Sequence, residues 1–261
     1  MEYIKILKTA SNMKKTIRRL FHSFGYTITR LDSRVEIDCA WGPNILLYAL
    51  EDLANRSSNP LKIVQIGAHD GSDQDPLQPF LLGHNCEAIL IEPMEHPYTA
   101  LASRYCEKEN IHTLQAAISD RDVSMEMHYI VDEAGNPDLT LFSSFSRNTI
   151  ERNLVSAQES NPNLRGHRIR SKVMKARTLK SVLRDYGMQS VDAIVLDTEG
   201  FDHKIVQSFL NDGVEPRIIR FEYCNLSRRD FDSIKNLLLG KGYEIARVGI
   251  DIYCQKVGLL R

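Results

Sequence analysis

The chain has 261 residues, 43% of them apolar and 26% charged, with a formal net charge of −1. That length suits one sizeable α/β domain with extensions or two small domains, and the composition is ordinary for a globular protein. The near-zero charge gives no global attraction to nucleic acid, no apolar run reaches the length of a membrane span, and the N-terminus lacks a signal-peptide core.

The first 34 residues differ from the rest, with Lys5, Lys8, Lys14, Lys15, Arg18, Arg19, Arg30 and Arg34 against only Glu2 and Asp32. Met13, Ile17, Leu20, Phe21 and Phe24 recur at helical spacing among Lys14, Lys15, Arg18 and Arg19. This predicts a basic amphipathic helix ending near Gly25. It either packs on the domain or docks weakly on a membrane surface or partner. Its narrow apolar face, without tryptophan, favours packing. A second helix is expected over Pro43–Ala54, with proline in its first turn. Residues 1–60 therefore read as an N-terminal helical extension and 61–261 as the main domain.

From Leu61 onwards strands and helices alternate. Strands are predicted at Lys62–Ile66, Ala88–Ile91, Ile111–Ile118, Ala193–Leu196, Arg217–Tyr223, Tyr243–Val248 and Ile250–Lys256. Helices are predicted at Asp75–Leu82, His96–Glu109, Leu179–Tyr186, Asp202–Leu210 and Arg229–Gly240. The early strands are continuous apolar runs, as in parallel sheets covered on both faces. The last two are joined almost directly at Gly249 and must be antiparallel. An insertion at about 120–180 begins with the alternating VSMEMHYIV, an extra strand, and then turns polar and loop-like.

The five cysteines (Cys39, Cys86, Cys106, Cys224 and Cys254) are scattered and form no C-x-x-C pair. This points to a reducing cytosol with neither a disulfide framework nor a zinc site.

The main ligand signal is KIVQIGAHDG at Lys62–Gly71, followed by AILIEP at Ala88–Pro93. An apolar strand runs into a glycine turn, and a second strand ends in Glu92 about 20 residues later, as a nucleotide-binding βαβ unit requires. Glycine lets the backbone approach a ligand, and a carboxylate at a strand tip can accept both ribose hydroxyls. Gly67 and Gly71 alone do not make a dinucleotide fingerprint, and no P-loop lysine follows. A short turn suits a cofactor without phosphate, such as S-adenosylmethionine. Asp197-Thr198-Glu199-Gly200-Phe201-Asp202 ends the fourth core strand, at the same edge of the sheet.

These motifs resemble the FkbM-type methyltransferase family. The resemblance runs from QIGAHDGSDQDPLQPF through AILIEP, AAISD, the SSF of the insert, RTLKSVL, IVLDTEGFDHKIV and IIRFEY to GYEIARVGIDIYC, about Leu61–Lys256. Where this chain has His69 the family often has asparagine. The resemblance implies a class I, Rossmann-like fold: a seven-stranded, mostly parallel sheet ending in an antiparallel hairpin. It also implies S-adenosylmethionine-dependent O-methylation of a sugar, glycan or glycoconjugate precursor. Other acceptors (a small metabolite, a lipid, a protein side chain) and a non-catalytic binding protein on the same fold stay open, as does the oligomeric state. Nucleic acid is not an expected partner.

The expected cofactor contacts are Gly67, Ala68, His69, Asp70, Gly71, Glu92, Pro93, Ala117, Ile118, Ser119 and Asp197. Asp197, Glu199 and His203 are the candidates for catalysis, because an alcohol attacks a methyl group only as its proton leaves. Asp202 reads as a cap or first-turn charge of the following helix. Asp197, Glu199 and Glu222 could together hold a divalent metal, but no compact ligand motif accompanies them and a metal-free site is favoured. Ser143, Ser144, Phe145, Arg147 and Glu222 are the expected acceptor contacts. Phe142–Arg147 is expected to form a mobile lid over the acceptor, with a core-packed turn anchored by both phenylalanines as the competing reading. Arg165, Arg168, Arg170, Lys172, Lys175 and Arg177 form either the solvated face of a strand or a basic rim for an acidic acceptor.

Overall fold

The computed structural model describes residues 27–31, 34–38, 45–72, 75–140 and 142–256. The basic helix predicted before Gly25, and any membrane or partner contact through it, lies outside the described residues.

The described part of the extension is not purely helical, which corrects the sequence expectation. Strands β1 (Thr27–Leu31) and β2 (Arg34–Asp38) form an antiparallel hairpin with Leu31 opposite Arg34. Its TITRL and RVEID segments carry the alternation of a strand, which the search for helical spacing passed over. Helix α1 (Ile45–Arg56) follows, two residues displaced from the predicted Pro43–Ala54. Leu46, Leu50 and Leu53 form one helix face and are buried in the core.

The main domain then runs through β3 (Leu61–Ile66), α2 (Gln78–Gly83), β4 (Cys86–Ile91), α3 (Glu95–Tyr105) and β5 (Ile111–Leu114). The predicted third strand, Ile111–Ile118, splits here. After Leu114 the chain leaves the main sheet, and β6 (Ala117–Ser119) joins a second sheet. That second sheet holds the insert: β7 (Val123–Val131), β8 (Ser143–Ser144), helix α4 (Arg147–Ser160) and β9 (Arg168–Thr178), with strand order β6-β9-β7-β8. β7 and β9 pair antiparallel from Val123↔Ala176 to Val131↔Arg168. α4 was expected as loop. Ser146 caps it by accepting from the Thr149 N–H, and Ile150 and Leu154 bury its apolar side.

The chain returns through α5 (Leu179–Asp185), β10 (Ala193–Leu196), α6 (Asp202–Asn211), β11 (Ile218–Glu222), α7 (Arg228–Gly240), β12 (Tyr243–Val248) and β13 (Asp251–Lys256). β2 lies against β12. The main sheet has the order β12-β13-β11-β10-β3-β4-β5. β10, β11, β3, β4 and β5 are parallel neighbours, and β13 runs antiparallel to both β11 and β12. Alternate residues of β3 feed opposite faces: Val64 and Ile66 one core, Leu61 and Ile63 the other. This two-sided burial is why the strands read as unbroken apolar runs. Among the described residues no helix is long and apolar enough to cross a membrane.

The chain moves outwards from β3 to β5 on one side, then resumes beside β3 with β10. β3 and β10 therefore flank a topological switch point, where a crevice opens at the carboxyl ends of the strands.

Candidate functional site

β3 and β10 deliver their motifs to that crevice. Gly67 follows β3 with φ +80°, and a Cβ there would lie 1.9 Å from the Asp197 carbonyl oxygen. Only glycine fits, so the two motifs touch backbone to backbone. The Gly67 and Ala68 N–H groups both donate to the Ile91 carbonyl, at 2.9 and 3.0 Å. His69 is left-handed, φ +47°, and its N–H donates to Glu92 Oε2 at 2.9 Å. The Met94 N–H donates to Glu92 Oε1, also at 2.9 Å. Glu92 is only 4% exposed. Burial pushes its pKa up to about 7, against those two backbone donors.

A pocket opens in the crevice, with an enclosed volume of only about 60 Å³. Gly67, His69, Glu92 and Pro93 form one wall, and Asp197 and Thr198 face them. Ala116, Ala117, Ile118, Met127 and Phe145 make an apolar slot. Seven of the expected cofactor contacts thus meet on one cavity: Gly67, His69, Glu92, Pro93, Ala117, Ile118 and Asp197. The other four shape the turn and the neighbouring backbone. Ala68 is a core residue. Asp70 accepts from the Ser72 N–H at 3.0 Å. Gly71 sits close against Leu101 and Tyr105 of α3. Ser119 is fully buried, and its hydroxyl donates to Asp120 Oδ1 at 3.0 Å. A carboxylate at a strand tip beside an apolar slot is a donor set that fits S-adenosylmethionine: hydroxyls for Glu92 and a flat base for the slot.

The acidic loop after β10 is strained and tied. Glu199 has φ +52°, a conformation costly for a residue with a side chain and met mainly at functional sites. Asp202 is fully buried and accepts from the Thr198 and Gly200 N–H groups, both at 3.3 Å. It closes the loop, as its first-turn position suggested. Burial pushes its pKa up to about 6, helped by the neighbouring Asp197. The Glu199 carbonyl accepts from Ser144 Oγ at 2.7 Å, and its Oε2 accepts from Asn153 Nδ2 at 3.0 Å. Burial and the charge of Asp197 push Glu199 up to about 7. The Asp197 surface opens to the crevice, yet the protein packed around its carboxyl raises its pKa, with Arg220 opposing. Glu222, 9% exposed, has a thiol neighbour in Cys224 at 3.7 Å. Burial pushes it up to about 8, with Asp197, Glu199 and Asp202 adding to the rise.

Other candidates are placed less centrally. His203 is half-buried on α6 and does not line the cavity; burial lowers its pKa. Ser143 and Phe145 line the cavity, and Phe145 meets Phe201 edge-on with ring centroids 5.4 Å apart. Ser144 is buried beneath it. Arg147 is exposed and pairs with Glu151 at 2.8 Å on the surface of α4. Phe142 packs against the cluster of Ile130, Ile150 and Leu154. Both phenylalanines therefore pack against neighbours, as the reading that competed with the lid has them. Among the described residues no group of three or more His, Cys, Asp or Glu side chains is arranged to hold a metal ion. The trio Asp197, Glu199 and Glu222 is not a preformed cation cage.

Thr140, Met127, Asn153 and Asn225 were not anticipated. Thr140 Oγ1 meets His69 Nε2 at 2.9 Å, so the insert reaches the glycine turn directly. No local motif marks these residues; the tertiary path of the insert brings in Thr140, Met127 and Asn153, and the segment after β11 brings in Asn225. Of the basic stretch, Arg165, Arg168, Arg170 and Lys175 are exposed, and Arg177 pairs with Asp185.

Numbered by chain position, the main-sheet strands lie in the order 3-2-1-4-5-7-6, and the glycine turn and strand-tip acid meet at the switch point. This is the class I, Rossmann-like methyltransferase architecture. The family model described as the methyltransferase FkbM domain matches residues 65–245, and the chain belongs to that family. Family and fold are those of S-adenosylmethionine-dependent methyltransferases. Among solved structures, the chain is similar to the methyltransferase FkbM from Methylobacillus flagellatus KT, with 13% identity and a TM-score of 0.47. That match covers 76% of this chain but 44% of the other, so the chain spans less than half of that relative. It is also similar to Aeropyrum pernix fibrillarin in complex with natively bound S-adenosyl-L-methionine, with 12% identity, a TM-score of 0.39, and 88% and 83% of the two chains covered. Precorrin-6y C5,15-methyltransferase from Geobacter metallireducens GS-15 matches at 11% identity and a TM-score of 0.39, covering 81% of this chain and 88% of the other. No curated protein matches the chain.

Proposed function

We propose that the protein transfers a methyl group from S-adenosylmethionine to a hydroxyl of a sugar, glycan or glycoconjugate precursor. The observation that carries this reading is the single cavity bounded by Gly67, Glu92 and Asp197. Glu199 follows the lining residues Asp197 and Thr198 in the same loop without lining the cavity itself, and the pKa of its carboxyl is raised. Glu92 would hold the ribose hydroxyls and the slot at Ala117, Ile118 and Met127 the adenine. The cofactor supplies an electrophilic methyl on a sulfonium. Glu199 takes the proton as the acceptor oxygen bonds to the methyl carbon and the carbon–sulfur bond breaks. A carboxyl whose pKa is near 7 is well matched to that task at neutral pH. Asp197 faces the same space and can orient the hydroxyl. Ser143 and Phe145 offer a hydroxyl and an apolar surface to a sugar ring. The same reading places the reaction in polysaccharide biosynthesis on the cytoplasmic side, and it needs no metal.

The test is transfer of labelled methyl from S-adenosylmethionine to a panel of glycans, lipids, small metabolites and proteins, with and without EDTA. Label in a glycan as an alkali-stable ether, unaffected by EDTA, supports the reading. Label confined to another class, or activity lost in EDTA and restored by Mg²⁺, overturns the corresponding part. Failure to bind S-adenosylmethionine in calorimetry overturns all of it.

A further inference from the structure

Glu199 is held by the insert as well as by its own loop. Three elements meet around it: the acidic loop after β10, the segment after β11, and α4. Gly200 marks how tightly they meet, since a Cβ there would lie 3.0 Å from Asn225 Cβ and 3.3 Å from Thr149 Oγ1. From α4, Asn153 Nδ2 donates to Glu199 Oε2 at 3.0 Å. The Asn225 side chain, which a Gly200 Cβ would nearly touch, acts with Asn153 to oppose the rise in the pKa of Glu199.

The orientation of Asn225 is itself fixed. Arg152, the neighbour of Asn153 on α4, directs Nη2 at Asn225 Oδ1, 3.4 Å away, and at Thr149 Oγ1, 3.5 Å away. Guanidinium only donates, so the Asn225 oxygen must face Arg152, and its NH₂ is the end left for Glu199. One helix turn thus sets both amides: Asn153 directly and Asn225 through Arg152.

We infer that Asn153 and Asn225 are positioning residues that clamp the Glu199 carboxylate in its strained loop, and that Arg152 sets the clamp. The groups facing Glu199 explain why a clamp is needed. Asp197 and Asp202 repel it from its own loop, and Glu222 joins them from β11. Without neutral donors the carboxylate would swing away from its like-charged neighbours. Amides hold it without neutralising it, whereas a cationic partner would bind its charge and weaken it as a base. The insert therefore completes the catalytic constellation as well as covering it. The inference rests on Glu199 being the base.

The experiment is nitrogen-15 NMR of the full chain. The side-chain amide resonances of Asn153 and Asn225 are assigned by their disappearance in Asn153→Leu and Asn225→Leu. Glu199→Gln is expected to move both, because the charge-assisted bonds are lost. Arg152→Met is expected to move the Asn225 resonance and leave that of Asn153 in place. Asn153→Leu is expected to bind S-adenosylhomocysteine with wild-type affinity, since Asn153 stands off the cofactor cavity. Resonances that stay in place in Glu199→Gln overturn the clamp, as does loss of S-adenosylhomocysteine binding in Asn153→Leu. Full turnover in Glu199→Gln with both resonances moved would leave the clamp standing and remove the base, so the two failures are distinguishable.

Discussion

The two halves of the crevice are built differently. The polar wall of the proposed cofactor half comes from a short span, Gly67 to Met94, and is tied through backbone N–H groups: Gly67 and Ala68 on the Ile91 carbonyl, His69 and Met94 on the Glu92 carboxyl. The half proposed for the acceptor is assembled from α4, the loop after β10 and the segment at the end of β11, and is held largely by side chains. It also gathers four carboxyls, Asp197, Glu199, Asp202 and Glu222, against the single Glu92 opposite. Backbone contacts fix a general cofactor whatever the side chains are. Side chains from distant segments can be exchanged one at a time, which suits the half that must recognise a particular acceptor.

If this division holds, the largest effect of any single isosteric change falls on turnover in the acceptor half. Glu199→Gln is expected to lower turnover by about 10²–10⁴-fold, the range for loss of a general base, with cofactor affinity nearly unchanged. Calorimetry and turnover measured on the same preparation check this. Equal losses in both would mean that the halves are not separable.

Gly67→Ala attacks the place where the halves touch. The new Cβ would overlap the Asp197 carbonyl at 1.9 Å and sit on a left-handed backbone. A stability loss of roughly 2–4 kcal/mol is expected, of the size found for strain at a special backbone conformation combined with a clash. Chemical denaturation measures it, and cofactor affinity should fall with it. A stable variant that binds the cofactor normally would show that the two motifs are not locked together. Glu92→Ala is narrower: cofactor binding should weaken by about 1–3 kcal/mol, the scale of hydrogen bonds to a charged group. Unchanged affinity would remove Glu92 from the cofactor half.

The same division decides what the sequence could reveal. Gly67, Glu92 and Asp197 were legible because each sits at a strand tip with fixed spacing, and the sheet order follows from alternating βα units and one tight hairpin. The turn between β5 and β6 was not, since Gln115 and Ala116 interrupt the apolar run without proline or glycine. Nor was α4, whose RNTIERNLVSAQES is polar on most positions and shows its role only through Ile150, Leu154 and the serine cap. Asn153 and Asn225 carry no local signal at all, because their meaning lies in a partner 46 residues from the first. Arg147, an expected acceptor contact, is the first residue of α4 and pairs with Glu151 on the helix surface, a placement that depends on recognising the helix.

The smallest effect concerns the excess of carboxyls in the acceptor half, and it appears in stability as a function of pH. Glu222 has its pKa pushed up from 4.5 to about 8, first by burial and then by Asp197, Glu199 and Asp202. A raised pKa means that the folded protein binds this proton more tightly than the unfolded chain does. Its contribution is therefore fully present below about pH 4.5 and is lost as pH rises towards 8 and beyond. Glu222→Gln keeps the shape and removes the titration. The variant should match the wild type near pH 5 and exceed it at pH 8.5 by about 1–3 kcal/mol, the measure of a shift of one to two pH units after allowing for coupling among the four acids. The other raised carboxyls give both proteins a slope of the same sign, so the difference between the two denaturation profiles isolates Glu222. Parallel profiles from pH 5 to 8.5 would mean that Glu222 is ionised at little cost, and that the four carboxyls do not act as one crowded group.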